Sequence, residues 1–171
     1  VAKIVNAFES ALQRGVKIIA ITLRDQSLMQ VTQAQCNNLG IRFSPINNNT
    51  SFRFARDDVF TTGEVAYADG IIYCAGNNKG QVLKKIFLGG YADDLLATSK
   101  QIAFIDDSKN NCEHVADVFK DQAESLPAIK ILHYPKVKRE FLPYHAKTER
   151  DKSIIDDLEQ AAVNDEDVTE V

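Results

Sequence analysis

Apolar residues along the chain alternate between helix-like and strand-like spacing. From Ala2 to Arg14, Ile4, Val5, Phe8, Ala11 and Leu12 fall on one helical face, and Gly15 supplies the stop. Val16-Lys17-Ile18-Ile19-Ala20-Ile21 is a short β-branched run that predicts a buried strand, ending at Thr22-Leu23-Arg24. A second helix is expected from Gln26 to Asn38, stopped at Leu39-Gly40. Ile41 to Gly63 has no regular period and predicts a loop with a short strand or hairpin arm. Ala68 to Cys74 predicts another strand, followed after Asn77-Asn78 by a helix from Gln81 to Leu88 closed by Gly89-Gly90. Gln101 to Ile105 is a third buried strand with Asp106-Asp107 at its end. Asn111 to Ser125 is a helix facing inward through Val115, Val118 and Phe119, and Ile129 to Leu132 is a fourth strand. Beyond Pro135 the pattern weakens, apart from an exposed helix expected at Glu149 to Ala162.

Strand alternating with helix predicts an α/β domain with a mostly parallel sheet and flanking helices. The boundaries read as a core over 1–147, with 41–66 as a small cap or insert, and a terminal helix and acidic tail over 148–171. The tail acids Asp165-Glu166-Asp167 and Glu170 read as solvated. In such sheets ligands bind beyond the carboxyl ends of the strands, so the residues directly after each strand carry the most information.

Composition narrows the choices. The 171 residues suit one domain, 44% are hydrophobic and 26% charged, and the formal net charge is −4. A mildly acidic balance gives no footprint for nucleic acid or an anionic membrane. No apolar run approaches the roughly eighteen residues of a membrane span. No signal peptide is visible, so a soluble protein is expected, in the cytoplasm or, had a leader been removed, in the periplasm or outside the cell. Cys36, Cys74 and Cys112 are far apart, and His114, His133 and His145 lack metal spacing, so all six read as structural or neutral.

The candidate chemistry stands at strand ends: Thr22, then Asn77-Asn78-Lys79-Gly80, then Asp106-Asp107 with Asn111 one helical turn on. Taken singly, each has an ordinary reading. Thr22 would be a turn hydroxyl, Lys79 a solvated loop lysine, and one of the aspartates a helix cap. Taken together, a hydroxyl, an ammonium and paired carboxylates on one sheet edge point to phosphate and a divalent cation. Mg²⁺ is a hard ion that takes one or two carboxylates while keeping waters. A lysine offsets phosphate charge and holds ionised carboxylates together.

In this order the elements resemble the haloacid-dehalogenase-type (HAD) phosphatases. Ile18 to Arg24 looks like motif II, a hydrophobic strand ending in Thr or Ser; Asn78-Lys79-Gly80 looks like the motif III lysine at a helix start. Phe104-Ile105-Asp106-Asp107-Ser108-Lys109-Asn110-Asn111 looks like motif IV, the most specific of these. The long insert before the third motif, and its Asn-Lys-Gly form, are similar to a little-characterised bacterial branch of that superfamily. The resemblance implies a HAD-like (Rossmann-like) sheet and a phosphorylated small-molecule substrate hydrolysed through a phosphoaspartate with Mg²⁺. It implies that Thr22 binds a phosphoryl oxygen and Lys79 stabilises nucleophile and phosphate charge. Asp107 would be a Mg²⁺ ligand, with Asp106 and Asn111 orienting it and the metal's waters. Lys84 and Lys85 are weaker candidates. Arg24 would line the substrate mouth or start a helix at the surface.

The resemblance also implies an absence. Motif I, a central strand ending in Asp-x-Asp-x-Thr, has no match before Val16, and Asp165-Glu166-Asp167-Val168-Thr169 follows no apolar strand. Without the nucleophilic carboxylate this chain is expected to be inactive by itself. A degenerate HAD-like protein retaining only a phosphate or metal pocket is the alternative. A receiver-type signalling module fits less well, because there the acidic pair comes first and the lysine last. The natural polypeptide is expected to carry at least one more apolar strand ending in Asp-x-Asp, N-terminal to Val1. Sequencing the gene upstream of that codon checks this, and a start codon at Val1 contradicts it.

Overall fold

The computed structural model describes residues 2–46, 51–92, 101–121, 128–134 and 169–170. It is mixed α/β, with mixed sheets and flanking helices. α1 (Ala2–Gln13) ends before Gly15, which takes the left-handed conformation that terminates helices. β1 (Ala20–Thr22) leads into a 3₁₀ turn, Gln26–Leu28, because the Asp25 side chain accepts from the Ser27 N–H and caps it. That turn takes the first residues of the helix expected from Gln26, so α2 runs Met29–Asn38.

Ala68 to Cys74, expected as one strand, is instead part of a hairpin. Asp69 and Gly70 hold φ of +50° and +81°, as two-residue turns matched to strand twist require. They separate β3 (Val65–Ala68) from β4 (Ile71–Tyr73). The arm expected within 41–63 is β2 (Ser51–Phe54), antiparallel to β3. With β1 parallel to β4, the first sheet has the order β1-β4-β3-β2. α3 (Lys79–Leu88) begins earlier than expected, because the Asn78 side chain caps it by accepting from the Gln81 N–H at 3.1 Å.

The second sheet joins β5 (Gln101–Asp106) in parallel to β6 (Ala128–His133), with β7 (Thr169–Glu170) antiparallel on the far side of β6. Glu170, expected in a solvated tail, is therefore in register with Leu132. α4 (Lys109–Asp121) connects β5 toward β6. The rest of the helix expected to Ser125, the helix expected at Glu149 to Ala162, and the remaining tail lie outside the described residues.

One apolar core serves both sheets. Val82, Ile86 and Phe87 of α3 and Cys112, Val115 and Phe119 of α4 pack with Val65 and Ile72 of the first sheet and Phe104 and Ile131 of the second. The helices cross closely at Gly80, where a Cβ would fall onto the His114 carbonyl oxygen. On the other face of the first sheet, Ile71 and Tyr73 pack against Met29 and Cys36 of α2 and against Phe43.

The expected single, mostly parallel sheet is thus two mixed sheets over a shared core. The break falls at β1 and β5, each paired on one side only among the described residues. Ala20 and Thr22 direct their backbone groups to the β4 side, so alternation turns those of Ile21 to the open edge. Asp106 accepts from the Tyr134 N–H on the β6 side, which turns those of Ile105 to the open edge of β5. Both runs were expected to be buried and neither is fully so, because Val16 lies ahead of β1 and alternation along β5 turns Ile105 to the face opposite Phe104. Val16 is 50% and Ile105 61% exposed, while Ile18 to Thr22 are half-buried. Among the described residues no helix is long and apolar enough to cross a membrane.

Amide hydrogen exchange tests this arrangement. In this chain the Ile21 and Ile105 amides should exchange at least about tenfold faster than those of Ile72 and Phe104, whose strand edges are paired. Equal protection would mean that the edges are covered.

Candidate active site

Strand parity decides what the two adjacent aspartates do. Asp106 ends β5 on the same face as Phe104, pointing inward and 7% exposed, whereas Asp107 lies just past the strand and is half-buried. Lys79, in the first turn of α3, is also buried. Its Nζ donates to Asp106 Oδ2 at 2.5 Å, and the two side chains are 9% and 3% exposed. Asp106 Oδ1 accepts from the Ser108 backbone N–H at 2.9 Å and from Asn111 Nδ2 at 3.0 Å. Lys79, Asp106 and Asn111 therefore form one hydrogen-bonded cluster joining α3, β5 and α4.

Burial pushes the Asp106 carboxyl up, but the Lys79 ammonium, the Ser108 N–H and the Asn111 amide outweigh it and hold its pKa below the ordinary 3.8. A pKa lowered by folding makes the ionised form part of the native state. The resulting stability is fully present above the unfolded value of 3.8 and is lost as pH falls through the lower folded value.

Asp107 has no side-chain partner among the described residues. Its backbone carbonyl lies 3.3 Å from His133 Nε2, which anchors the position and leaves the carboxylate to other uses. Thr22 stands in register with Tyr73 at the end of β1, and its Oγ1 accepts from the Arg24 N–H at 3.3 Å. No hydrogen bond joins Thr22 to the Lys79 cluster, so hydroxyl and ion pair share the strand-end side of the core without touching. Arg24 turns to α2, donating from Nη1 to Thr32 Oγ1 at 2.9 Å and to Gln35 Oε1 at 2.7 Å, which fits the surface role. Lys84 is half-buried and Lys85 exposed, further along α3 from the strand ends.

Asn77 belonged to the recognised segment without a role of its own. It is 4% exposed and is a four-way clamp. Its Oδ1 accepts from Thr62 N–H and Oγ1, and its Nδ2 donates to the carbonyls of Gly63 and Cys74. The loop before β3 is thereby fastened to the turn that delivers Lys79. An asparagine in a Gly-Asn-Asn turn gives no periodic signal that would reveal this. Cys74 is inert as a nucleophile, since burial pushes its thiol up to about 12. Cys112 packs its Sγ against the carbonyls of Asp106 and Leu132.

The donor set is incomplete for a metal. Among the described residues no three His, Cys, Asp or Glu side chains gather closely enough to hold an ion. Asp106 is taken by Lys79, which leaves Asp107 as the one free carboxylate of the acidic pair. Mg²⁺ accepts one or two carboxylates with water, so Asp107 fits as a ligand that needs a companion.

The molecule is thus a mixed α/β protein with a charged cluster at the carboxyl ends of its strands. It belongs to the family described as a protein of unknown function (DUF2608), which matches residues 2–168. No curated protein and no solved structure matches it.

Replacing Lys79 with Met strands the Asp106 charge and should cost about 3–5 kcal/mol at neutral pH, read by urea unfolding. Part of that loss should return near about pH 5, because an unpaired buried carboxyl titrates upward and becomes neutral. A loss under about 1 kcal/mol that is flat with pH would mean the pair does little for stability.

Proposed function

We propose that this chain supplies most of the site of a Mg²⁺-dependent HAD-type phosphohydrolase acting on small phosphomonoesters. In this reading the nucleophilic carboxylate rides on a further strand lying between β1 and β5. The observation that carries the reading is the buried Lys79–Asp106 pair beside a free Asp107, at the carboxyl end of an open strand edge. A strand inserted parallel to β1 and β5 would pair with the backbone groups of Ile21 and Ile105. Its last residue would emerge between Thr22 and Asp106-Asp107, and a carboxylate there would be the second acid that Asp107 lacks.

Each residue then has a definite task. The Thr22 hydroxyl donates to an oxygen of the transferring phosphoryl group. Lys79 has three N–H donors and gives one to Asp106, so two remain for phosphate and nucleophile. Asp106, held by Ser108 and Asn111, fixes the ammonium in place, so little reorganisation is needed as charge develops. Asp107 would hold Mg²⁺, which offsets the charge that otherwise sets phosphate against carboxylates. Positioning and charge stabilisation dominate phosphoryl transfer, and these residues provide both.

A non-catalytic phosphate- or metal-binding role has one observation in its favour. The described residues offer a hydroxyl, an ammonium and Asp107, but no carboxylate placed between β1 and β5. Activity separates the two readings. The natural full-length polypeptide should release p-nitrophenol from p-nitrophenyl phosphate only with Mg²⁺. Asp107→Asn should lower kcat/KM about 100-fold or more at fixed Mg²⁺. Phosphate binding without turnover in the full-length protein would establish the non-catalytic role instead.

A further inference from the structure

Asp107, on which the proposed metal site turns, stands in a short joint. β5 ends at Asp106, α4 begins at Lys109, and only Asp107 and Ser108 lie between them. Ser108 is held on both sides. Its N–H donates to Asp106 Oδ1 at 2.9 Å, and its carbonyl accepts from the Cys112 N–H at 3.1 Å. Asp107 has neither a strand partner nor a place in the helix. Among the described residues its one hydrogen bond is that of its carbonyl with His133 Nε2, at 3.3 Å.

His133 is itself firmly held. It ends β6, the middle strand of the second sheet, in register with Asp106 on one side and Thr169 on the other. Alternation puts His133 on the same face of β6 as buried Ile131, just as it puts Asp106 on the same face of β5 as buried Phe104. The ring therefore starts beside Asp106 and reaches one residue further, to Asp107. The next residue, Tyr134, donates its N–H to the Asp106 carbonyl at 2.8 Å, so the end of β6 grips two successive carbonyls. A carbonyl oxygen has no proton to give, so Nε2 is the donor. His133 lacks metal-ligand spacing along the chain because its contact is with main chain and not with an ion.

We infer that His133 is a positioning residue for the metal site. Its ring fixes the main chain of Asp107, and with it the direction in which the Asp107 carboxylate meets Mg²⁺. The inference rests on the reading of Asp107 as a Mg²⁺ ligand and deepens it. A ligand on an unheld joint has to be ordered as the ion binds, and that lost freedom weakens the complex.

Mn²⁺ suits the same oxygen ligands as Mg²⁺ and is counted by its electron paramagnetic resonance signal, so it tests this on the natural full-length polypeptide without turnover. His133→Phe keeps a ring and removes the donor, while His133→Gln keeps an N–H donor close to where Nε2 stands. The Mn²⁺ Kd should rise about tenfold in His133→Phe and stay within about twofold of wild type in His133→Gln. The Mg²⁺ concentration for half-maximal hydrolysis of p-nitrophenyl phosphate should shift in parallel, with kcat at saturating Mg²⁺ nearly unchanged. A general loss of packing would lower kcat instead, and glutamine would not restore it. Should His133→Phe not fold, His133→Ala takes its place. In the wild type, ring-nitrogen NMR shifts should show His133 protonated at Nε2, and a proton on Nδ1 alone would overturn the inference. Unchanged Mn²⁺ affinity in the donor-less variant, or equal weakening in His133→Gln, would overturn it too and leave the phosphohydrolase reading standing. No Mn²⁺ binding by the wild type would sink the Mg²⁺-dependent reading and this inference with it.

Discussion

A lysine and an aspartate buried together are stable only while each keeps the other, and in this chain that pair is where the two sheets are tied. Lys79 belongs to the helix that follows the first sheet, and Asp106 ends the first strand of the second. Desolvating both charges is costly, and their attraction alone does not guarantee repayment. The remaining capacity of Asp106 is therefore taken up by Ser108 and Asn111 at the start of α4. The close crossing of α3 over α4 at Gly80 brings the three elements near enough for this to happen. Apolar packing gathers the sheets under one core, and the ion pair fixes how their carboxyl ends meet.

Around that tie, short polar devices carry the chain from strand to site. Asn78 caps α3 so that Lys79 starts the helix, and Asn77 holds the loop before β3 against the same turn. Asp25 caps the 3₁₀ turn beyond Thr22. Each satisfies backbone groups that a helix start or tight turn would otherwise leave unpaired. The strand ends are thereby fastened on the side where the proposed chemistry occurs.

Much of this was legible in the residues, for identifiable reasons. Apolar runs marked β1, β5 and β6, and the 3.6-residue spacing of Val115, Val118 and Phe119 marked the inner face of α4, because burial imposes those periods. Lys79, Asp106 and Asn111, which the fold joins in one hydrogen-bonded cluster, were singled out by their positions after strands, as were Thr22 and Asp107, which stand outside it. Asp106 as the paired member and Asp107 as the free one follow from strand parity once β5 is known to extend through Asp106. The hairpin at Asp69-Gly70 was missed because the apolar residues on both sides read as one continuous run, although Asp-Gly is itself a turn signal. The clamp by Asn77 and the commitment of Arg24 to Thr32 and Gln35 depend on contacts between segments far apart in sequence, which no local spacing encodes. The exposure of Val16 and the half-burial of Ile18 to Ile21 were missed for a related reason. An apolar run records what a strand needs, while exposure records which neighbours it has found.

The edges of β1 and β5 bear on more than catalysis. A parallel strand with one side unpaired is a template for any extended peptide, and edges lined by residues such as Ile21 and Ile105 lack the charges and prolines that discourage such pairing. Whenever these edges stand uncovered, neighbouring molecules can satisfy them as readily as a proper partner strand, so assembly of the sheet and escape from aggregation become one event. Folding, on this view, is guarded by whichever strand arrives first.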